Sequence, residues 1–247
     1  MKNKKLLIAL FSVIGLTLFY TSCSKDEEKV VPPTSSTSNN NGSGIITNSG
    51  AGVTFDGYTY TSIVLGNGQE WMAENLRTTK YCNGDIISNI TDSTQWHILT
   101  TGAWVYYNND SQYENPYGKL YNWYAVEDSR NVCPCGWHVP SDAEWLTLIN
   151  YLGGESVAGG KMKSTGSQYW FSPNSSATNE SGFLGLPGGG RYYNGMFDFI
   201  GENASWWSST EAGQNNSLYR VIGYYGGTIG GHNLFKEYGQ SVRCIKD

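Results

Sequence analysis

Charged side chains are scarce in this chain. Lys, Arg, Asp and Glu make up 15% of its 247 residues, and acids outnumber bases by 21 to 16, a formal charge of −5. No basic excess exists to track a phosphate backbone or an anionic lipid surface, so nucleic acid is not an expected partner. Histidine is scarcer still. His97, His138 and His232 lie far apart and none forms an H-x-x-x-H pair, which removes the usual helix-borne zinc site. A G-x-S-x-G elbow, a Walker loop and a dinucleotide fingerprint are all missing, and Gly66-Asn67-Gly68 and Gly188-Gly189-Gly190 read as turn glycines. Asp85, Asp142, Glu144 and Glu180 have no spacing that marks a glycosidase pair. No repeat at solenoid or propeller period is present. With no catalytic residue, metal ligand or cofactor motif to nominate, the expectation is a protein that is not an enzyme and carries neither cofactor nor metal.

Aromatics and glycine take the space that charge leaves, with 18 Tyr, 9 Trp and 31 Gly. Such a mixture suits an exported domain of short strands and loops, or a recognition surface. The N-terminus agrees with export. Lys2, Lys4 and Lys5 precede an apolar run, Leu6–Tyr20, too short to span a bilayer as a helix. Thr21-Ser22-Cys23 and the polar Ser24-Lys25-Asp26-Glu27-Glu28 follow, and together these segments resemble a bacterial lipoprotein precursor. Tyr20 departs from the aliphatic residue usual at its position. The resemblance implies a signal peptide at 1–22, lipidation of Cys23 and membrane anchorage through acyl chains. The acidic run is similar to the export signal of surface lipoproteins of the Bacteroidetes type, implying an outer-membrane, surface-exposed location. Residues 1–22 carry three lysines and no acid, so their removal takes the charge from −5 to −8. Residues 23–50, rich in Ser, Thr, Asn and Gly with Pro32-Pro33, read as a lipidated disordered tether. Residues 51–247 suit one domain.

Within that domain, alternation from Tyr58 to Leu65, then Gly66-Asn67-Gly68 and Glu70-Trp71-Met72, predicts a hairpin. Ser141 and Glu144 have capping-box spacing, and Trp145, Leu148, Ile149 and Leu152 recur at i, i+3, i+4 and i+7 before Gly153-Gly154. A second, shorter helix is expected over Leu120–Val126. From Gly182 onward short β segments alternate with glycine-rich turns. The class is α+β: two helices packed on small twisted antiparallel sheets with long loops.

Five segments fall in an order that carries a family resemblance: Glu70–Arg77, Tyr117–Val126, Gly136–Trp145, Trp206–Thr210 and Ser241–Cys244. On them the chain resembles the Fibrobacter succinogenes major paralogous domain (FISUMP), over nearly all of residues 53–247. More distantly, the Pro-Ser-Asp-Ala-Glu-Trp helix and the closing Ser-Val-Arg strand resemble the formylglycine-generating, sulfatase-modifying-factor-like branch of the C-type lectin-like fold, which implies fold and not oxidation chemistry. Neither an Glu-Pro-Asn-like loop nor a carboxylate after Trp206-Trp207 is present for a lectin-type calcium site. Of the cysteines after Cys23, Cys82, Cys133, Cys135 and Cys244 allow three pairings, and a bridge across Pro134 alone would be strained. The FISUMP resemblance implies Cys133–Cys244, which leaves Cys82–Cys135. A redox or metal role for Cys133-Pro134-Cys135 lacks the CxxC spacing and a second metal-binding pair.

The aromatic C-terminal half is where binding is expected. Trp71, Trp123, Trp137 and Trp145 read as core and His138 as a packed structural residue. Adjacent Trp206 and Trp207 should point to opposite faces of a strand, exposing one. Tyr192, Tyr193, Trp206, Trp207, Tyr219, Tyr224, Tyr225, His232 and Asn233 are the candidate ligand-binding residues, since Tyr and Trp offer rigid contact area and Gly and Asn adapt around it. The expected function is a non-catalytic cell-surface binding or adhesion module for a glycan or protein ligand. The alternative is a structural subunit of a surface assembly or fibre, and an enzyme is the least supported reading.

Overall fold

A computed structural model describes residues 44–247. The expected signal peptide, the expected lipidation at Cys23 and most of the expected tether therefore lie outside the described residues. In chain order the elements are Thr47–Ser49 (β1), Val53–Phe55 (β2), Tyr58–Tyr60 (β3), Ser62–Leu65 (β4), Glu70–Met72 (β5), Ser88–Asn89 (β6), Ser93–His97 (α1), Ala103–Val105 (β7), Glu114–Tyr117 (α2), Leu120–Tyr121 (β8), Trp123–Val126 (α3) and Trp137–His138 (β9). They continue with Asp142–Tyr151 (α4), Glu155–Met162 (α5), Gly188–Arg191 (β10), Phe197–Ile200 (β11), Asn203–Gly213 (β12), Asn216–Gly223 (β13), Ile229–Phe235 (β14) and Ile245–Lys246 (β15). The class is mixed α and β, with few helices and mostly small antiparallel sheets.

The predicted hairpin is β4–β5, closed by backbone bonds from Leu65 N to Gln69 O and from Gly68 N to Leu65 O. The alternation before it is broken at Thr61, because β3 pairs with β2 instead. In the largest sheet the order is β1-β4-β5-β15-β9, so the closing strand lies between β5 and β9. The tether boundary at residue 50 needs correction. Ile45 is buried, and Thr47–Ser49 pair antiparallel with Ile63–Leu65. Ile45-Ile46-Thr47 is β-branched, which favours strand, and Ile45 joins an apolar cluster.

The sheet is covered on both sides. Trp71 packs with Trp145, Leu148, Ile149, Leu152, Phe183 and Trp206 in one cluster, while its neighbour Met72 packs with Tyr121, Trp123, Trp137 and Trp207 in another. The α4 stripe is sealed as its spacing requires, and its capping box is complete, with Glu144 Oε2 accepting from Ser141 N at 2.7 Å. The second helix is shorter than expected. Leu120–Tyr121 is strand, Tyr121 exchanges backbone bonds with Gln240, and Asn122 caps a helix confined to Trp123–Val126 through its Oδ1, which accepts from Ala125 N. Helix α5 is not legible in the pattern because Gly159-Gly160 interrupt its apolar stripe. Packing explains them: a Cβ on Gly159 would sit 2.8 Å from the carbonyl oxygens of Gly227 and Thr228, and one on Gly160 would sit 2.3 Å from Ser176 O.

Four of the five resemblance segments meet in one buried hub, and the fifth packs on it through Trp145, 5.9 Å from Trp206 between ring centroids. Asn75 Oδ1 accepts from Trp206 Nε1 at 2.8 Å and from Arg243 Nη2 at 2.8 Å, and its Nδ2 donates to Tyr117 O at 2.9 Å. Arg243, 1% exposed, lies over the Phe183 ring at 4.2 Å and also donates to Met72 O. Burial pulls its pKa down, to about 9, which leaves it charged at neutral pH. Trp123 Nε1 donates to Ser208 O and Trp207 Nε1 to Tyr121 O, each at 2.8 Å. The segments by which the chain resembles its family thus build the interior.

Both disulfides implied by the resemblance are present: Cys133–Cys244 with Cα atoms 6.0 Å apart and Cys82–Cys135 at 5.3 Å. The first joins residues 111 apart in sequence and is buried, tying β15 to the segment before β9.

Two outcomes are expected in urea denaturation. Replacing Cys133 and Cys244 together by Ser should lower unfolding free energy by about 4–5 kcal/mol, the loop-entropy value for a closure of this length. Asn75→Ala should cost about 3–5 kcal/mol, because it strands a buried guanidinium and an indole N–H in one step. A loss below about 1 kcal/mol would remove the hub from its organising place.

Candidate functional site

Strands β12, β13 and β14 form an antiparallel meander in that order. Alternation gives it two unlike faces. Ala204, Trp206, Ile222 and Ile229 enter the core on one. On the other, Asn203, Ser205, Tyr219, Val221, His232 and Leu234 line a cleft. Its smaller end holds about 190 Å³, bounded by Tyr192, Phe199, Tyr238 and Gln240. Its larger end holds about 410 Å³ and runs past Tyr225, Thr228 and His232. Phe199, Asn203, Tyr219 and Val221 belong to both ends, so the two are continuous.

Aromatic rings rim this cleft as a connected series of five and a separate pair. Tyr192 lies 6.2 Å from Phe199 and 5.3 Å from Tyr238, centroid to centroid. Tyr193 meets Tyr238 at 5.8 Å and Phe235 at 6.1 Å, and Tyr219 faces His232 at 6.2 Å. Burial raises the pKa of Tyr192, Tyr219 and Tyr238, and the Tyr192 and Tyr238 hydroxyls add to the rise at Tyr219. All three are neutral hydroxyls at physiological pH.

Buried cations hold the walls. Arg191 donates to Ile90 O at 2.7 Å and Thr91 O at 3.0 Å from above the Trp96 ring, fixing the β10–β11 hairpin that carries Tyr192 and Phe199. Burial lowers its pKa to about 10. Lys163 donates to Ser175 O at 2.7 Å and Gly223 O at 3.2 Å, pinning the start of the β13–β14 turn, and burial lowers its pKa to about 8. Lys236, over Trp123, bonds Glu211 and Glu127 just before Tyr238. Each stacked cation contributes about 2 kcal/mol when desolvated.

Of the nine candidate residues, the structure brings Tyr192, Tyr219, Tyr225 and His232 to the cleft and sets Tyr193 at its rim. Tyr225 is 74% exposed. Trp206 and Trp207 are a correction. They do point to opposite faces, but both faces of β12 are covered there, and each indole is 0% exposed, Trp206 in the Trp71–Trp145 cluster and Trp207 in the Tyr121–Trp137 cluster. Tyr224 is half-buried outside the cleft against Phe171 and Tyr225. Asn233, one residue from His232, is exposed but not among the cleft's lining residues, as period-2 alternation requires. Phe199, Asn203, Tyr238 and Gln240 escaped the sequence reading. The Phe197-x-Phe199 alternation opposite the side-chain-free Gly188-Gly189-Gly190 was the one signal that pointed to an open wall.

The acids weighed as catalytic candidates lie elsewhere. Asp142 pairs with Arg220, Asp85 with Arg130 at 3.1 Å and Glu180 with Lys161 at 3.9 Å. Burial disfavours charge at Asp56, Glu70 and Glu144, yet hydrogen-bond donors outweigh it and their pKa values fall; Arg130 holds Asp128 down at about 2. A second concavity, lined by Asp56, Tyr58, Arg77, Tyr106, Glu114 and Lys119, is built around ion pairs, Lys119 with Glu114 and Asp56 with Lys80. Among the described residues no group of three His, Cys, Asp or Glu could hold a metal ion, and no helix is long and apolar enough to cross a membrane.

Fold and cleft together define a small disulfide-bonded α and β domain with an aromatic-rimmed sheet face. The family model described as the Fibrobacter succinogenes major domain matches residues 64–246, and the chain belongs to that family. No curated protein and no solved structure matches it.

His138, read from sequence as structural, clasps the closing strand. Its Nδ1 lies 2.6 Å from Asp247 Oδ1 and its Nε2 2.8 Å from Glu144 Oε1. Burial opposes the imidazolium, but the two carboxylates outweigh it and the pKa rises above 6.5. The clasp's contribution should therefore be complete below pH 6.5 and fade as pH climbs through the raised value. The stability difference between the natural protein and His138→Asn, followed by thermal melting across pH, should be largest on the acid side and shrink toward alkaline pH. A difference that grows with pH would reverse the assignment.

Proposed function

We propose that this protein is a non-catalytic binding or adhesion module, held at the outer-membrane surface by a lipid on Cys23 and the following tether, and that its ligand, a glycan or a protein, lies in the aromatic cleft. The observation that carries this reading is the connected set of rings around an open sheet face, in a chain whose other large aromatics are mostly sealed. Ligand sites are concave, mostly apolar and furnished with a few convergent polar groups. The meander beside a capped helix also supports reading the fold as C-type lectin-like. A non-catalytic role is supported by the ion-paired acids, which lie outside the cleft and are each held by a cationic side chain.

Glycan and peptide arrays probed with the purified protein should yield a ligand. The double substitution Tyr192→Ala/Tyr238→Ala should weaken it by about tenfold or more, as expected for rings at the centre of an interface, with far-UV circular dichroism unchanged. Binding indifferent to both substitutions, or no ligand on either array, would overturn the proposal. A stable higher oligomer buried through Tyr193, Tyr225 and Phe235 would favour a structural subunit instead.

A further inference from the structure

We infer that the cleft takes a neutral carbohydrate chain, gripped by ring faces and uncharged hydrogen bonds; this rests on the cleft being the ligand site. Several tyrosine hydroxyls away from the cleft are engaged: Tyr60 accepts from Arg77 N at 2.9 Å, Tyr121 donates to Thr78 O at 2.7 Å, and Tyr151 donates to Ile46 O at 3.1 Å. In the cleft, the hydroxyls of Tyr192, Tyr219, Tyr225 and Tyr238 have no hydrogen-bond partner among the described residues, and neither does the Asn203 amide. Gln240 is the most informative. It is 5% exposed and its Oε1 accepts from Ser205 Oγ, yet its Nε2 has no acceptor among the described residues. That Nε2 is not sealed from solvent, so it stands free to donate to an acceptor placed in the cleft.

Charge narrows the class. No Asp, Glu or Lys lines the cleft, and its one Arg, Arg191, already donates to two backbone carbonyls above Trp96. A uronic acid, sulfated glycan or phosphate would find no lysine and no exposed guanidinium there, only the His232 imidazole at one end, and a basic peptide would find no carboxylate. A pyranose offers what remains: an apolar C–H face for a ring and a rim of hydroxyls that donate and accept equally well. The two continuous depressions, with Tyr219 common to both, suit consecutive sugar units. A protein ligand would more readily use the open edge of β14, the last strand of its sheet.

Calorimetric titration of the purified full chain would use cellohexaose, xylohexaose, mannohexaose and chitohexaose as neutral probes and hexagalacturonic acid as the acidic one. At least one neutral hexamer should bind with little dependence on salt. Asn203→Ala and Tyr219→Phe, which keep the packing, should each weaken it several-fold, and Tyr238→Ala about tenfold or more. Failure of all four neutral probes, or tighter and salt-sensitive binding of the acidic one, would overturn the inference. A peptide ligand lost in Tyr238→Ala would sink the carbohydrate assignment and leave the cleft as the ligand site. Cleft-independent behaviour toward every sugar and peptide would remove both.

Discussion

Arg243 carries a full charge into an interior that admits almost no water, and the surrounding chain is arranged to keep that charge satisfied. Asn75 supplies the central acceptor, Met72 and Phe183 supply carbonyls, and the Phe183 ring supplies a negative face. None of these groups is close to Arg243 in sequence, so the guanidinium can be buried only when its own segment has met both the Met72–Asn75 stretch and Phe183. Removing one partner from a buried ion is far more costly than never burying it, which makes the hub a test that misassembled chains fail. The Cys133–Cys244 bridge, one residue on, holds the same segment covalently.

The same device recurs around the cleft at lower stakes. Lys163, Arg191 and Lys236 are each buried over an aromatic ring, and each uses its donors to fasten a backbone carbonyl or an acid from a distant part of the chain. In a chain of short strands, with few long helices to lend rigidity, these stacked cations do the work of secondary structure. They let the cleft walls be loops and hairpins and still hold Tyr192, Phe199 and Tyr238 in fixed relation. Rigid rings bind with little ordering cost, so wall stiffness and ligand recognition are two sides of one arrangement.

Local signals were readable where the physics is local. A capping box and an i, i+3, i+4, i+7 stripe define α4 without reference to anything else, and a Gly-Asn-Gly turn between alternating strands defines β4–β5. The pairing of the cysteines was legible through the family resemblance and not through spacing. Signals failed where a residue's meaning depends on what lies across from it. Gly159-Gly160 hid a helix because their purpose is to admit another loop's carbonyls. Trp206-Trp207 suggested exposure because alternation says which way a side chain points and not whether that side is covered.

The sequence by itself determined the type of surface this protein could have: poor in charge, rich in rings and amides, with no clustered catalytic or metal-binding side chains in its motifs. Those are properties of composition and short-range spacing, and they survive any arrangement of the chain. Only the tertiary structure decided which rings became core and which became cleft. Trp207 and Tyr219 lie on the same side of the C-terminal meander, on paired strands, yet one is sealed beneath Tyr121 and the other lines an open face. Exposure is set by contacts between segments far apart in the chain, here the return of residues 238–240 beside β10, and no window of neighbouring residues contains that information.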